Sequence, residues 1–183
     1  EFYSERDVVH EERRLRTDST PTGRFQEQFN SMFWASCGYA WPVIGWPSDL
    51  NSYTFEQAQV YWNTYYRPGN LFGVVVGDFD PKQAKRYIKQ YFSRLDPGSN
   101  KLPPVVTLEV EQLAEQRMNA IGDFPPTIEI RYHTVPAGHV DSYPLDMLAE
   151  VLNERTGRLY TTMVEGRGIA ATASASSDTR KYA

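Results

Sequence analysis

Glu5 and Glu12 are the residues of this sequence whose type and spacing suggest chemistry. They stand seven apart in the run Glu5-Arg6-Asp7-Val8-Val9-His10-Glu11-Glu12-Arg13-Arg14. Seven residues are close to two helical turns, so a helix points both carboxylates from one face. Val8 lies between them on that face and Val9 is its apolar neighbour, while Arg6, Arg13, Arg14 and Arg16 can reach water. The two acids are therefore expected to look inward beside apolar residues. A carboxylate facing a core must be paired, hydrogen-bonded or bound to a metal, because desolvating an unpaired charge forces it to protonate or costs several kcal/mol. On the residues alone a second outcome stands beside this one, and it is the commoner: pairing with neighbouring arginines on a solvated helix face.

Other chemistry-bearing residues are scattered. His10, His133 and His139 stand alone, and no His-x-x-Glu-His or other pair at metal-ligand spacing occurs. His10 is two residues before Glu12 and so turns to a different helix face, where a solvated histidine is expected. Cys37 is the only cysteine, which excludes an internal disulfide and a Cys-x-x-Cys metal site. With no activating base suggested around it, Cys37 reads as a small buried residue. Asp78 and Asp80 could be taken for metal ligands, but Asp80 before Pro81 is explained as the N-cap of a helix with proline in its first position.

The elements that must position these residues follow in order. After the first helix and a polar break at Thr17 to Gly23, Phe25, Phe29, Met32 and Phe33 fall at i, i+4, i+7 and i+8 and predict a second helix with one apolar stripe. An aromatic loop from Ala35 to Asn51 is too rich in Gly and Pro for regular structure, and its Trp and Tyr side chains either anchor the loop or line a groove. Thr54 and Gln57 form a capping-box signature opening a helix that would turn Phe55, Ala58, Tyr61, Trp62 and Tyr65 to the core. Trp62 is therefore expected to be buried. Leu71 to Val76 reads as a strand buried on both faces, and Pro81 starts a helix through Ala84, Tyr87, Ile88, Tyr91 and Phe92.

Residues 96–104, rich in Pro, Gly and Ser, form the best linker. Beyond it, Val105 to Val110 and Arg117 to Ile121 read as short strands. Thr127 to Val135 alternates Ile128, Ile130 and Tyr132 against Glu129, Arg131 and His133, the mark of a strand with one wet face. Asp141 can cap a helix carrying Leu145, Leu148, Ala149 and Leu152. A short helix with Leu159, Tyr160, Met163 and Val164 follows, and Ile169 to Ser177 is strand-like. The order predicts an α+β chain, helices packed on mostly antiparallel sheets.

Composition bounds the rest. The 183 residues, 40% hydrophobic and 14% aromatic, suffice for one substantial core or two modest ones. A net charge of -4, with lysines and arginines scattered, gives no electrostatic footprint for a polyanion, so no nucleic-acid partner is expected. No apolar run approaches the roughly 20 residues needed to span a bilayer. Lack of disulfides fits the cytoplasm, and a bacterial periplasmic enzyme can also lack them, so the compartment stays open. The chain opens on a helix without an initiator methionine and reads as an internal fragment.

Several blocks share one resemblance. Glu5-Arg6-Asp7-Val8-Val9-x-x-Glu12, Trp41-Pro42-Val43-Ile44-Gly45, Tyr65-Tyr66-x-Pro68-x-Asn70 and Val74-Val75-Val76-Gly77-Asp78-Phe79-Asp80-Pro81 occur in that order, followed by Gly157-Arg158-Leu159-Tyr160 and Val164-Glu165-Gly166-Arg167-Gly168. In this the chain resembles the M16 metallopeptidases (insulinase, pitrilysin and mitochondrial processing peptidase). The resemblance implies two α/β lobes of the M16 type, with residues 1–95 as the remainder of the first, metal-site lobe, the linker at 96–104, and 105–183 as the start of the second. It implies a zinc centre with an inverted His-x-x-Glu-His motif, here expected upstream of residue 1, and Glu12 as the third zinc ligand. Glu5 matches a supporting glutamate that could orient a ligand imidazole. Zinc held so would lower the pKa of its water toward 7 and polarise a scissile carbonyl. The fragment alone is expected to be inactive and to bind no Zn2+. The implied partners are a peptide or protein substrate, added as a strand to a sheet edge, and a second subunit in a homodimer or a paired M16 assembly. An alternative within the same resemblance is a non-catalytic M16-like subunit for assembly or peptide binding.

Overall fold

The structure is a computed structural model that describes residues 1–98 and 101–182. Ser99 and Asn100, part of the expected linker, lie outside the described residues, as does Ala183. Six α-helices organise the described residues: α1 (Phe2–Arg13), α2 (Gly23–Phe33), α3 (Pro47–Ser52), α4 (Phe55–Tyr65), α5 (Pro81–Phe92) and α6 (Ser142–Asn153). A π-helical turn, Arg14–Asp18, continues α1, and another spans Tyr160–Gly166. Among the described residues no helix is long and apolar enough to cross a membrane.

The expected α+β architecture is not what forms. Among the described residues there is no strand and no sheet. The stretches read as strands are single extended segments with their apolar side chains outward: Phe72 is 94% exposed, Ile121 105% and Ile128 89%. A helix closes its hydrogen bonds within its own sequence, whereas an extended run becomes a strand only when another segment offers a matching ladder of N–H and C=O groups. Apolar runs and period-two alternation announce what a face would bury and do not supply that second segment.

The chain divides into two compact units, Glu1–Glu27 with Trp41–Val106, and Gln28–Ala40 with Thr107–Ala183. In the first unit α1 packs on α3. Phe2 meets Tyr53 and Phe55 edge to face at 5.3 and 5.7 Å, and Leu50 is buried. Helix α4 starts in the expected capping box: Thr54 accepts from the Gln57 amide and the Gln57 side chain accepts from the Thr54 amide. Its aromatic face is not buried, however. Trp62 is 58% exposed, against expectation, and stacks on Tyr66 at 4.3 Å with the planes 10° apart. Rings four apart on a helix can cover one another without a second layer. Helix α5 begins as read from the sequence, the Asp80 carboxylate accepting from the Lys82 amide at 2.8 Å with Pro81 in the first turn.

In the second unit Phe29, Trp34 and Cys37 are buried. The segment around residue 131 keeps its alternation but turns Arg131 and His133 to α2. Arg131 lies over the Phe29 ring at 4.8 Å, and His133 stacks on Phe33 at 4.0 Å, while Ile130 and Tyr132 are exposed. The ring faces on α2 carry negative potential, which attracts a guanidinium as an aliphatic side chain would not. Helix α6 follows Asp141, though without a bond from its side chain to the helix; the Asp141 amide donates to His139 Nδ1 instead, at 3.1 Å.

Candidate functional site

Helix α1 carries both acids. Its packed stripe is Phe2, Arg6, Val9 and Arg13, spaced at i, i+4, i+7 and i+11, and Arg13 is its most buried member at 4% exposure. Glu5, Val8 and Glu12 lie about a quarter-turn away, along the margin of that stripe. Glu5 and Val8 are exposed, and the Glu12 side chain is 38% exposed. The acids thus sit beside the packed face, not inside it. Two turns separate them by about 10 Å along the axis, too far for both to reach one metal ion.

Neighbouring arginines take part, as helix charge runs commonly arrange. Glu12 Oε1 pairs with Arg16 Nη1 at 2.9 Å, one turn on, and Glu11 pairs with Arg14. Arg16 is 79% exposed, and such a solvated pair is worth about 0.3–0.5 kcal/mol. A competing ligand of greater charge could displace it. His10, half-buried, contributes no metal arrangement with Glu12: among the described residues no group of three or more His, Cys, Asp and Glu is placed to hold a metal ion.

Arg13 was expected at the surface and is the principal correction here. Its Nη1 donates to Glu27 Oε1 at 2.7 Å and to the Gly45 carbonyl at 2.8 Å, and its Nη2 donates to Glu27 Oε2 at 2.8 Å. Asp18 lies 3.5 Å from Nη2. The fork-to-fork pair with Glu27, whose side chain is 9% exposed, is the first cause holding the Arg13 pKa above its ordinary value, against the opposing effect of burial. Three local features converge on it. The π-helical turn Arg14–Asp18 has the i→i+5 pitch that brings Asp18 back toward residue 13. The turn closed by Gly45 N to Pro42 O, with Gly45 at φ +88°, aims the Gly45 carbonyl. The first turns of α2 present Glu27. An arginine one residue after an acid carries no burial signal in sequence; only its place at i+11 from Phe2 and i+4 from Val9 points to it.

A concavity in the other unit is lined by Phe29, Met32 and the stretches 109–119 and 128–134, and contains neither Glu5 nor Glu12.

Residues 52–182 match the family profile described as the peptidase M16 inactive domain, well over half of the sequence. The chain belongs to the peptidase M16 family. This M16 chain is 28% identical over 177 residues to zinc protease PqqE of Helicobacter pylori, covering 94% of the chain and 40% of that protein. It is 24% identical over 153 residues to probable zinc protease PqqL of Haemophilus influenzae, covering 80% of the chain and 16% of that protein. Its fold superposes on the crystal structure of a protease from Helicobacter pylori with a TM-score of 0.78 and 26% identity, over 99% of this chain and 45% of that one. The chain therefore spans less than half the length of these relatives. Helix α1 precedes the span matched by the profile.

Both relatives are named for zinc, which gives the donor set of this M16 chain a direct test. A catalytic zinc takes three protein ligands. Glu12 has the chemistry of one, a partly exposed carboxylate on a fixed helix, and the described residues add no second and third. By themselves they do not fit a complete zinc centre.

Proposed function

We propose that this chain is a segment of an M16 zinc-dependent endopeptidase that hydrolyses peptides, in which Glu12 is the third zinc ligand and Glu5 a supporting carboxylate that orients a ligand imidazole. The two imidazoles come, in this reading, from residues outside this sequence. The observation that carries it is the placement of Glu12: its carboxylate opens to solvent from α1, held by an exposed arginine, while the next residue, Arg13, anchors the helix in the interior. The names of the relatives, zinc proteases both, support it. Zinc bound there would supply a Lewis acid and a water acidic enough to attack a carbonyl near neutral pH; Glu12 contributes one anionic donor. The substrate is a peptide or protein, and a second M16 subunit, identical or paired, is the natural assembly partner.

One observation favours a second reading. The profile matched by residues 52–182 is described as an inactive domain, which suits a non-catalytic subunit for assembly or peptide binding. Zinc content and peptide turnover of the full-length protein, measured beside Glu12→Gln, separate the two. Stoichiometric zinc and turnover, both lost on substitution, are expected for the peptidase; a parent without zinc and without turnover establishes the non-catalytic reading.

A further inference from the structure

We propose that the apolar face of α5, with the extended run Leu71–Val76 before it, is an internal packing surface of a longer polypeptide, covered by a segment of the parent protein outside these 183 residues. This rests on the reading of the chain as part of a longer M16 protein; zinc plays no part in it. At the helical pitch Tyr87, Ile88, Tyr91 and Phe92 gather on one side of α5, and Lys82, Lys85, Arg86 and Lys89 on the other. A helix sorted in this way is built to lie on something. Yet every α5 residue except Ala84 is exposed, Tyr91 at 53% and Phe92 at 60%. Helices shorter than about 12–15 residues are marginal in water without tertiary packing, and α5 has 12 residues. In the run before it Phe72, Val74 and Val76 are 94%, 77% and 90% exposed, and Leu71 and Val75 64% and 62%. Successive side chains of an extended backbone point opposite ways, so both sides of this run are apolar and open.

The area left open decides between occupants. The chain exposes 15187 Å². A single folded domain of its 21.0 kDa exposes about 9,000 Å², and two separate domains of half that mass about 11,000 Å² together. An excess of about 4,000 Å² therefore remains even when the two units are counted as independent domains. A standard contact between proteins hides about 800 Å² per partner, and an obligate dimer about 1,000–2,500 Å². A second copy of the chain would leave a large part of the excess uncovered. A continuation of the same polypeptide, packed as a core is packed, can cover it. The relatives have the length for this: the chain spans 40% of PqqE and 45% of the crystallised Helicobacter pylori protease, so more than half of each lies beyond the matched part.

The test uses the full-length parent with p-benzoylphenylalanine in place of Tyr91, irradiated and mapped by mass spectrometry. The expected cross-link joins that position to a peptide of the same chain outside this sequence and leaves the mass of one chain. A link to a second chain, or to a residue within the 183, overturns the proposal. Hydroxyl-radical labelling of the unsubstituted parent does not depend on how that variant folds. Phe92 is expected to label at the level of Phe29, a fall from 60% exposure to 9%, about sevenfold, while Lys82 and Lys89 on the opposite side of α5 acylate freely. Labelling of Phe92 in proportion to its 60% exposure overturns the proposal whatever the cross-link shows. A native protein whose intact mass is 21.0 kDa, that of these residues alone, overturns the segment reading itself, and the packing surface with it.

Discussion

The Glu109 carboxylate accepts a hydrogen bond from the Cys37 amide at 3.0 Å, across a separation of 72 residues. Ala35 and Ser36 donate their amides to the same group at 2.8 and 3.2 Å, and Ser36 Oγ donates to the Leu108 carbonyl while accepting from the Val110 amide. Three successive backbone N–H groups around one carboxylate form an anion nest. Here the anion belongs to the protein, and it ties the loop after α2 to the segment at residue 109.

Acid should loosen that tie in a defined window. Burial is the largest influence on Glu109 and opposes its charge, but the amide and side chain of Cys37 and the amides of Ala35 and Ser36 together outweigh it and draw the carboxyl down to about 2. A group whose folded pKa lies below its unfolded value, about 4.3 for glutamate, stabilises the fold above the unfolded value and loses that contribution as pH falls through the folded one. Unfolding free energy should therefore drop between about pH 5 and pH 2, by about 1–3 kcal/mol for a charge-assisted set of bonds. Glu109→Gln should be less stable than the wild type at pH 7 by a similar amount and flatter across the window. Urea titrations at several pH values check this, and parallel profiles for the two proteins contradict it.

Cys37 should report the same clasp by its reactivity. The thiol is 2% exposed, and burial first, then the hydrogen bond to Glu109 and its charge, push its pKa up against the lowering effect of the Tyr39 backbone. A buried, protonated thiol is a poor nucleophile. Iodoacetamide labelling of Cys37 is expected to be slow in the native protein and several-fold faster in Glu109→Gln, with mass spectrometry as the readout. Equal labelling rates would show that the clasp does not control access.

Helix starts were legible in the sequence because they are decided within four residues. Asp80 before Pro81 and Thr54 before Gln57 needed no knowledge of the rest of the fold. Replacing Asp80 by Ala should cost about 1 kcal/mol, and Thr54→Ala about 0.5–1, since the Thr54 oxygen accepts over a longer distance of 3.4 Å against 2.8 Å for Asp80. Chemical denaturation of the two variants gives the order directly.

What was not legible depends on partners distant in sequence. Leu71 to Val76 has the composition of a buried strand, yet a strand is defined by a second segment that its own residues do not specify. Trp62 and Tyr66 look like core aromatics by type, and their stacking on the outside of α4 satisfies the same rings by a route that spacing alone does not distinguish. Arg131 and His133 have a correct period and an unexpected orientation, because the identity of the face opposite, Phe29 and Phe33, decides which side chains are drawn in. Of the candidate site, the shared face of Glu5 and Glu12 could be read from spacing. The burial of Arg13 could not, since Glu27 and Gly45 stand 14 and 32 residues away.

The Arg13–Glu27 pair itself distinguishes specificity from stability. Arg13→Ala strands the Glu27 carboxylate, 9% exposed, without its partner, and breaking a buried pair from one side costs about 3–5 kcal/mol. Removing both charges at once takes away the desolvation cost along with the attraction. Arg13→Met combined with Glu27→Leu should therefore be far less destabilised than Arg13→Ala, and the coupling in a double-mutant cycle should be large. The Gly45 carbonyl then loses its donor, which keeps the double variant from full recovery; the residual deficit should be about 1–3 kcal/mol, the cost of one unsatisfied buried acceptor. Urea unfolding of Arg13→Met, Glu27→Leu and the double variant measures every corner of the cycle. Additive losses would mean that Glu27 finds water when Arg13 is removed, and that the fork holds the end of α1 by packing instead of by charge.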